Sequence, residues 1–256
     1  MFSADVLTFR EFMMGEPLPL ATLHQAVLEF LRGRDDVVVF GAQAVNAYVH
    51  EPRMTQDLDL LSIHADVVAQ ELCAALRQRF HIAVRVRRVG AGRGLRVFQV
   101  RKAGNRHLVD LRAVETLPGA ERIAGVLVLA PAELIASKVI AYHQRRGQPK
   151  AGTDWRDLAM LLLTFPALKC DPGPVGERLH AAGATPEVLA AWQAVVAQDI
   201  RPTEEDEDFE STAAEAVVQR DGEVCATSLP QPAPNKRLQA TANSLRSCVA
   251  SAIGGA

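Results

Sequence analysis

Two carboxylates separated by a single residue, Asp57 and Asp59, are the side chains of this sequence that most clearly point to chemistry. If the segment around them is a strand, both side chains lie on one face, about 6.5 Å apart. Ionised carboxylates at that spacing repel each other, and a bound divalent cation removes the repulsion. Magnesium prefers carboxylate and phosphate oxygens, so the pair predicts a magnesium site that also receives a phosphate. The structural alternative is a solvated rim at a strand edge.

The residues before this pair predict how it is held. Residues 37–40 form a short apolar run that is typical of a buried strand, and Gly41 ends it. The small residues from Ala42 onward are compatible with a helix whose first N–H groups attract an anion. Arg53 and Thr55 precede the carboxylates at every second position, so in an extended segment they share one face with them and lie beside the phosphates.

A third carboxylate, Asp110, lies in a second pair of predicted strands. Residues 95–101 and 107–112 have strand character, and residues 103–105 form the turn between them. Asp110 has apolar neighbours on both sides, and a carboxylate within a sheet costs free energy unless it is paired or binds a metal. We therefore predict a site role for Asp110, with a position on the solvent face of the strand as the alternative.

The second half of the chain contains a lysine and two further carboxylates in predicted helices. A helix is expected from Pro131, with Lys138 beside its apolar stripe, where a lysine either extends to solvent or reaches a buried anion. The basic loop at residues 144–152 is either a solvated surface or a seat for a nucleotide or RNA. Asp154 and Asp157 share a face near the start of the next helix, where carboxylates also complement the helix dipole.

In this order and spacing, the residues resemble the polymerase-β-like nucleotidyltransferases, and in particular their AbiEii-type branch, which includes toxins of bacterial toxin–antitoxin systems. The resemblance rests on "GAQAVNAY" from Gly41, on "RMTQDLDL" from Arg53, and on a lysine-bearing helix followed by a helix that opens with D-x-x-D-L. It covers residues 37–164.

The resemblance implies a role for each matching position. The implied catalytic residues are Asp57, Asp59, Asp110, Lys138 and Asp157. The implied nucleotide-binding residues are Gly41, Ala42, Arg53, Thr55, Lys138 and Asp154. Asp57, Asp59 and Asp110 are the implied ligands of Mg²⁺ or Mn²⁺, and Asp110 is also a candidate general base. Ala42 departs from many relatives, which have Gly or Ser there, so a phosphate contact at this position must come from the backbone.

These observations predict an α/β fold, with a nucleotidyltransferase-type mixed sheet flanked by helices and a helical C-terminal lobe. The implied reaction moves a nucleoside monophosphate from an NTP to a hydroxyl or phosphate of an RNA, protein or small-molecule acceptor and releases pyrophosphate. The alternative is a catalytically degenerate nucleotide-binding or partner-binding regulatory protein. If the chain acts as a toxin, an antitoxin protein is the implied partner.

Composition and length agree with a cytoplasmic protein that has one or two buried cores. The 256 residues are 48% hydrophobic, and the formal net charge of −2 gives no global attraction to nucleic acid or membrane. Four scattered cysteines, with no C-x-x-C and no histidine at metal-ligand spacing, favour neither zinc nor a disulfide framework. No signal-peptide pattern is present, and no apolar run reaches the length of a membrane span.

We expect three segments along the chain. Residues 1–128 are predicted to form the α/β core, residues 129–200 the helical lobe, and residues 201–256 a disordered tail. The tail opens with the acidic run "EEDEDFE" and continues with a composition rich in Pro, Ala and Ser. Such a composition offers little apolar surface to offset the entropy that ordering removes.

Overall fold

A mixed β-sheet of seven strands is the centre of the described structure. The computed structural model describes residues 17–90, 94–102 and 104–202. The strands are β1 Val37–Phe40, β2 Leu58–Ser62, β3 Val84–Val89, β4 Gly94–Gln99, β5 Arg106–Ala113, β6 Ala120–Ile123 and β7 Val126–Leu129. Their order across the sheet is β3-β4-β5-β2-β1-β7-β6. The pairs β2–β5 and β1–β7 are parallel, and the other neighbouring pairs are antiparallel.

Seven α-helices flank this sheet within the described ranges. They are α1 Leu20–Leu31, α2 Gly41–Tyr48, α3 Ala65–Phe80, α4 Pro131–Gln144, α5 Lys150–Thr164, α6 Pro174–Ala181 and α7 Pro186–Ala197, with a short 3₁₀ turn at Pro166–Leu168. The predicted fold class, a mixed sheet flanked by helices, is confirmed. None of the described helices combines the length and the apolar character needed to cross a membrane.

The main core lies between α3 and one face of the sheet. In β2, burial alternates, so that Leu58 and Leu60 are fully buried while Asp59 between them is half-buried. Leu111 of β5 and Leu72 of α3 belong to the same buried cluster. Burying one such leucine stabilises the fold by about 1.5–3 kcal/mol. Because strand side chains alternate, the opposite face of the sheet is left to the polar residues.

An irregularity in β5 changes which residues point to that polar face. Val97 of β4 pairs with Val109, but the next residue, Phe98, pairs with His107, so β5 contains one extra residue, Leu108. In a regular strand, His107 and Asp110 would point to opposite faces because they are three residues apart. The bulge reverses the alternation and places both on the polar face.

The helices after β7 form a second layer of packing. Helix α4 packs against α5, α6 and α7, and α2 contacts both the sheet and α4. Trp192 of α7 and Leu134 of α4 are buried in this region. The described residues all fall in one compact unit, and the predicted boundary at residues 128/129 stays a prediction. The disorder prediction applies to residues 201–256, of which residues 203–256 lie outside the described residues.

Candidate active site

The turn from β1 into α2 brings the backbone against one of the paired carboxylates. Gly41 begins α2 with a φ of +70°, a conformation that favours glycine. A Cβ atom at this position would lie 2.2 Å from Oδ2 of Asp59, which is far inside contact distance. Gly41 is therefore required both for the turn and for the position of the carboxylate. Ala42 follows in the first turn of α2, as predicted.

Asp59 is a carboxylate that makes no ion pair with any described residue. In β2 it pairs with Phe40 on one side and with Asp110 on the other. Among the described residues, no group donates a hydrogen bond to its side chain. Burial raises the pKa of Asp59, and the nearby charges of Asp57 and Asp110 raise it further, against the opposing effect of Arg112. A cation at this point would remove an electrostatic conflict.

Asp57 and Asp110 are joined by a histidine. His107 Nδ1 lies 3.1 Å from Asp57 Oδ2, and its Nε2 lies 3.0 Å from Asp110 Oδ1. The ligand atoms of these three residues are all within 4.8 Å of one another. Arg96, the cross-strand neighbour of Asp110, holds the same carboxylate through two hydrogen bonds of 2.9 and 3.0 Å. The predicted trio of carboxylates is thus assembled, with two cations beside it.

The charges in this cluster shift one another's pKa values. Burial alone would lower the pKa of His107, but its hydrogen bonds to Asp110 and Asp57 raise the pKa to about 9. The hydrogen bond from His107 lowers the pKa of Asp57. Burial would raise the pKa of Asp110, but the hydrogen bonds from His107 and Arg96 hold it well below its usual range. The imidazole is therefore protonated at neutral pH and acts as an internal counter-ion.

His107 and Arg96 were missed in the sequence. The bulge at Leu108 sets the direction of His107, and nothing in the local pattern indicates a bulge there. The prediction that no histidine has metal-ligand spacing is wrong for His107, which lies beside Asp57 and Asp110 because of the strand pairing. Arg96 was not predictable either, because a regular hairpin around the predicted turn at residues 103–105 would place Arg112 opposite it, whereas the observed register pairs it with Asp110.

The donor chemistry of the cluster fits a divalent cation with oxygen ligands. Carboxylates suit Mg²⁺ and Mn²⁺, whereas an imidazole suits softer ions. Asp59 has no competing partner in the described part of the chain, and Asp57 shares only one oxygen with His107. Both oxygens of Asp110 are engaged by Arg96. Asp57 and Asp59 are thus the residues most available to hold such an ion.

The predicted residues of the second half form a separate, buried ion network. Asp157 is fully buried and accepts two hydrogen bonds from Arg53, of 2.6 and 2.8 Å, and one of 2.7 Å from Lys138. Lys138 also lies 3.7 Å from Asp154, which accepts a 2.6 Å hydrogen bond from Arg145. Burial would raise the pKa of Asp157, but Arg53 and Lys138 lower it. The anion that Lys138 reaches is therefore the protein's own.

The predicted alignment of Arg53 and Thr55 with the two carboxylates is wrong. Strand β2 begins only at Leu58, so residues 53–57, on which that alignment depended, are not part of the strand. Arg53 instead turns to the buried charge of Asp157, which needs a partner in an apolar surrounding. Thr55 Oγ1 donates to the backbone oxygen of Asp57 at 3.0 Å. Both side chains hold the segment that leads into the site.

Comparison with known proteins places these residues in context. The model of the family described as "Nucleotidyl transferase AbiEii toxin, Type IV TA system" matches residues 25–239. No curated protein matches the sequence.

Several solved structures are similar to part of this chain. A polyadenylate synthase of Megavirus has 15% identity over 59% of this chain and 32% of its own, with a TM-score of 0.49, so the chain spans about a third of that protein's length. JHP933 from Helicobacter pylori has 13% identity over 83% and 99% of the two chains, with a TM-score of 0.44. ANT(2")-Ia in complex with adenylyl-2"-tobramycin has 15% identity over 73% and 98%, with a TM-score of 0.38.

Proposed function

Because the chain belongs to the AbiEii nucleotidyltransferase family, we propose that it transfers a nucleoside monophosphate from an NTP to an acceptor in a reaction that depends on Mg²⁺ or Mn²⁺. One observation carries the proposal. The Asp59 carboxylate, without a hydrogen-bond donor among the described residues, is held against Gly41 and beside Asp57 and Asp110. A carboxylate that is half-buried, has no ion pair among the described residues and lies next to two others is an expensive arrangement, and binding a cation offsets its cost.

In this proposal, Asp57, Asp59 and Asp110 hold the metal. When bound, a divalent cation neutralises the triphosphate and makes an acceptor hydroxyl easier to deprotonate. The acceptor oxygen attacks the α-phosphorus of the NTP, the bond from that phosphorus to the bridging oxygen breaks, and pyrophosphate leaves. The proton of the acceptor hydroxyl passes to Asp110. Since His107 and Arg96 both lower the pKa of Asp110, it becomes an effective base only when these hydrogen bonds are released.

Two features near the carboxylates support a seat for the phosphates. The backbone at Gly41 and Ala42 begins α2, where N–H groups favour an anion. The positive charge of Lys150, the first residue of α5, is near enough to Asp57 to lower its pKa. Lys138 and Arg53 both bind Asp157, so we place them as supports of the site first and as phosphate ligands second.

The family description also supports a proposal about the biological setting. We propose that the chain is the toxin of a toxin–antitoxin pair, that it works in the cytoplasm where NTPs are present, and that an antitoxin protein limits its activity. Growth arrest on expression of the chain, absent with an Asp59→Asn variant and relieved by a neighbouring gene, is the expected result. Equal growth with and without intact Asp59 would contradict the toxin role.

The transferase proposal is tested by incubating the purified chain with each α-labelled NTP, Mg²⁺ and either total RNA or a cell lysate. We expect label on an acceptor with the wild type and none with an Asp57→Ala/Asp59→Ala variant. The matched control is Asp66→Ala, which removes an exposed carboxylate that pairs with Arg88. Transfer that survives the loss of Asp57 and Asp59 would refute the proposal.

A further inference from the structure

The polar face of the sheet continues beyond the candidate site to the edge strand β3. In register, Arg87 of β3 pairs with Arg96 of β4, which pairs with Asp110, which pairs with Asp59. A second row runs from Arg85 through Phe98 to His107. We call Arg85, Arg87, Arg96 and Phe98 the arginine strip. Its two rows lead directly from the sheet edge to the carboxylates.

The outer part of the strip carries positive charge that no described residue neutralises in an ion pair. Arg85 and Arg87 are exposed, and neither makes an ion pair with any residue in the described ranges. Arg88 follows Arg87 in the same strand, so its side chain points to the opposite face, where it pairs with Asp66 of α3. Within the described ranges, Arg88 therefore has an acidic partner on the α3 face, while Arg85 and Arg87 have none on the face that carries the site. Two guanidinium groups on one face, with no ion pair to a described residue, attract an anion with repeated charges.

Phe98 adds an aromatic surface between these charges. It is half-buried and is not part of the hydrophobic core described above. Its neighbours in the register are Arg85 on one side and His107 on the other. An aromatic ring that stands among arginines on an open strand face is a platform on which a nucleobase stacks. A peptide or a small sugar gains less from such a platform.

We propose that the arginine strip binds the phosphate backbone of a single-stranded polynucleotide, so that the acceptor hydroxyl at its end reaches Asp59 and Asp110. This inference rests on the proposed transferase function and names the acceptor class for the same site. From β3 to β2 the path crosses three strand spacings, or about 14 Å. A small-molecule acceptor has no use for a charged path of that length, whereas a chain of phosphates follows it.

The proposal is tested by fluorescence anisotropy with the full chain and a labelled single-stranded oligoribonucleotide, titrated at several salt concentrations. The first variant is Arg85→Ala/Arg87→Ala. Each phosphate contact on a single strand adds about 0.7 to the slope of log affinity against log salt, so the slope should fall by about 1.4. The second variant, Phe98→Ala, should weaken binding about five-fold or more at every salt concentration.

The matched control is Arg88→Ala, which removes an arginine from the same strand but from the opposite face. We expect it to leave the salt slope and the affinity as in the wild type, and thermal unfolding of each variant checks that the sheet is intact. An equal loss with Arg88→Ala, or no change with the double variant, would overturn the proposal. So would label that moves only to protein or to a small molecule.

The same experiment separates this inference from the reaction that it rests on. Binding that needs Arg85 and Arg87, in a wild-type chain that transfers no label to any acceptor in RNA or lysate, would support the strip and refute the transferase. Transfer to RNA at a rate that does not depend on the two arginines would support the transferase and refute the strip.

Discussion

Replacement of Gly41 by alanine is the most direct perturbation of the site that spares its functional groups. The new Cβ would lie 2.2 Å from Oδ2 of Asp59, 2.9 Å from its Cγ and 3.0 Å from its Cβ. The whole side chain of Asp59 must therefore shift. To reach an acceptable contact, Oδ2 has to move by about 0.8 Å or more, and a misplacement of about 1 Å in a catalytic arrangement lowers a rate by about 100-fold.

The backbone contributes a second, separate effect. Gly41 has a φ of +70°, and an alanine in that region costs about 1–2 kcal/mol of stability. Gly33 offers a matched control, because its φ is +75° but nothing lies within 4 Å of the Cβ that a substitution would add. Gly33→Ala therefore has the same backbone strain without any contact with a carboxylate.

We expect both variants to lose a similar free energy of unfolding, measured with urea, and only Gly41→Ala to lose about 100-fold in the rate of label transfer. Isothermal titration with Mn²⁺ gives a readout that does not depend on an acceptor, and it should show weaker binding for Gly41→Ala alone. A Gly41→Ala rate and Mn²⁺ affinity within about three-fold of those of Gly33→Ala would refute the argument from Asp59.

Two further predictions concern the charges around the site. Asp157→Ala should lower the free energy of unfolding by about 3–5 kcal/mol, because Lys138 then stays buried without its closest carboxylate. Urea unfolding measures this loss. A loss below about 1 kcal/mol, which is typical of an exposed pair, would contradict the network. His107 has a pKa raised from 6.5 to about 9, so in metal-free protein its contribution to stability is fully present below pH 6.5 and is lost as the pH rises through 9. His107→Gln should flatten this decline in urea unfolding with a chelator, and an identical pH profile would show that the imidazole is not a counter-ion.

The elements that the sequence predicts well are those with a strong local pattern. The apolar run at Val37–Phe40 and the start of α2 at Gly41 are where the composition changes, so they could be found without long-range information. The periodicity of α4 likewise places Lys138 beside the core. The pattern left two alternatives for Lys138, extension to solvent or contact with a buried anion. The second is correct, and only the structure shows that the anion is Asp157.

The features that the sequence does not reveal depend on register and on distant pairing. Arg53 and Asp157 are 104 residues apart, so the buried carboxylate that takes Arg53 as its partner could not be found from the local alternation of residues 53–57. The position of His107 depends on one extra residue in β5, and a shift of one residue reverses the face of every side chain beyond it. The cation that balances Asp57 was therefore not predictable from spacing.

The measurement that tests the central claim most directly compares the wild type with Asp59→Asn for both metal binding and transfer. The amide keeps the shape of the side chain and relieves the repulsion from Asp57, so we expect unchanged or higher stability without metal. We predict that Mg²⁺ raises the unfolding temperature of the wild type only, and that the variant transfers no label from any NTP. Label transfer by Asp59→Asn at a rate near that of the wild type would contradict the assignment of this site.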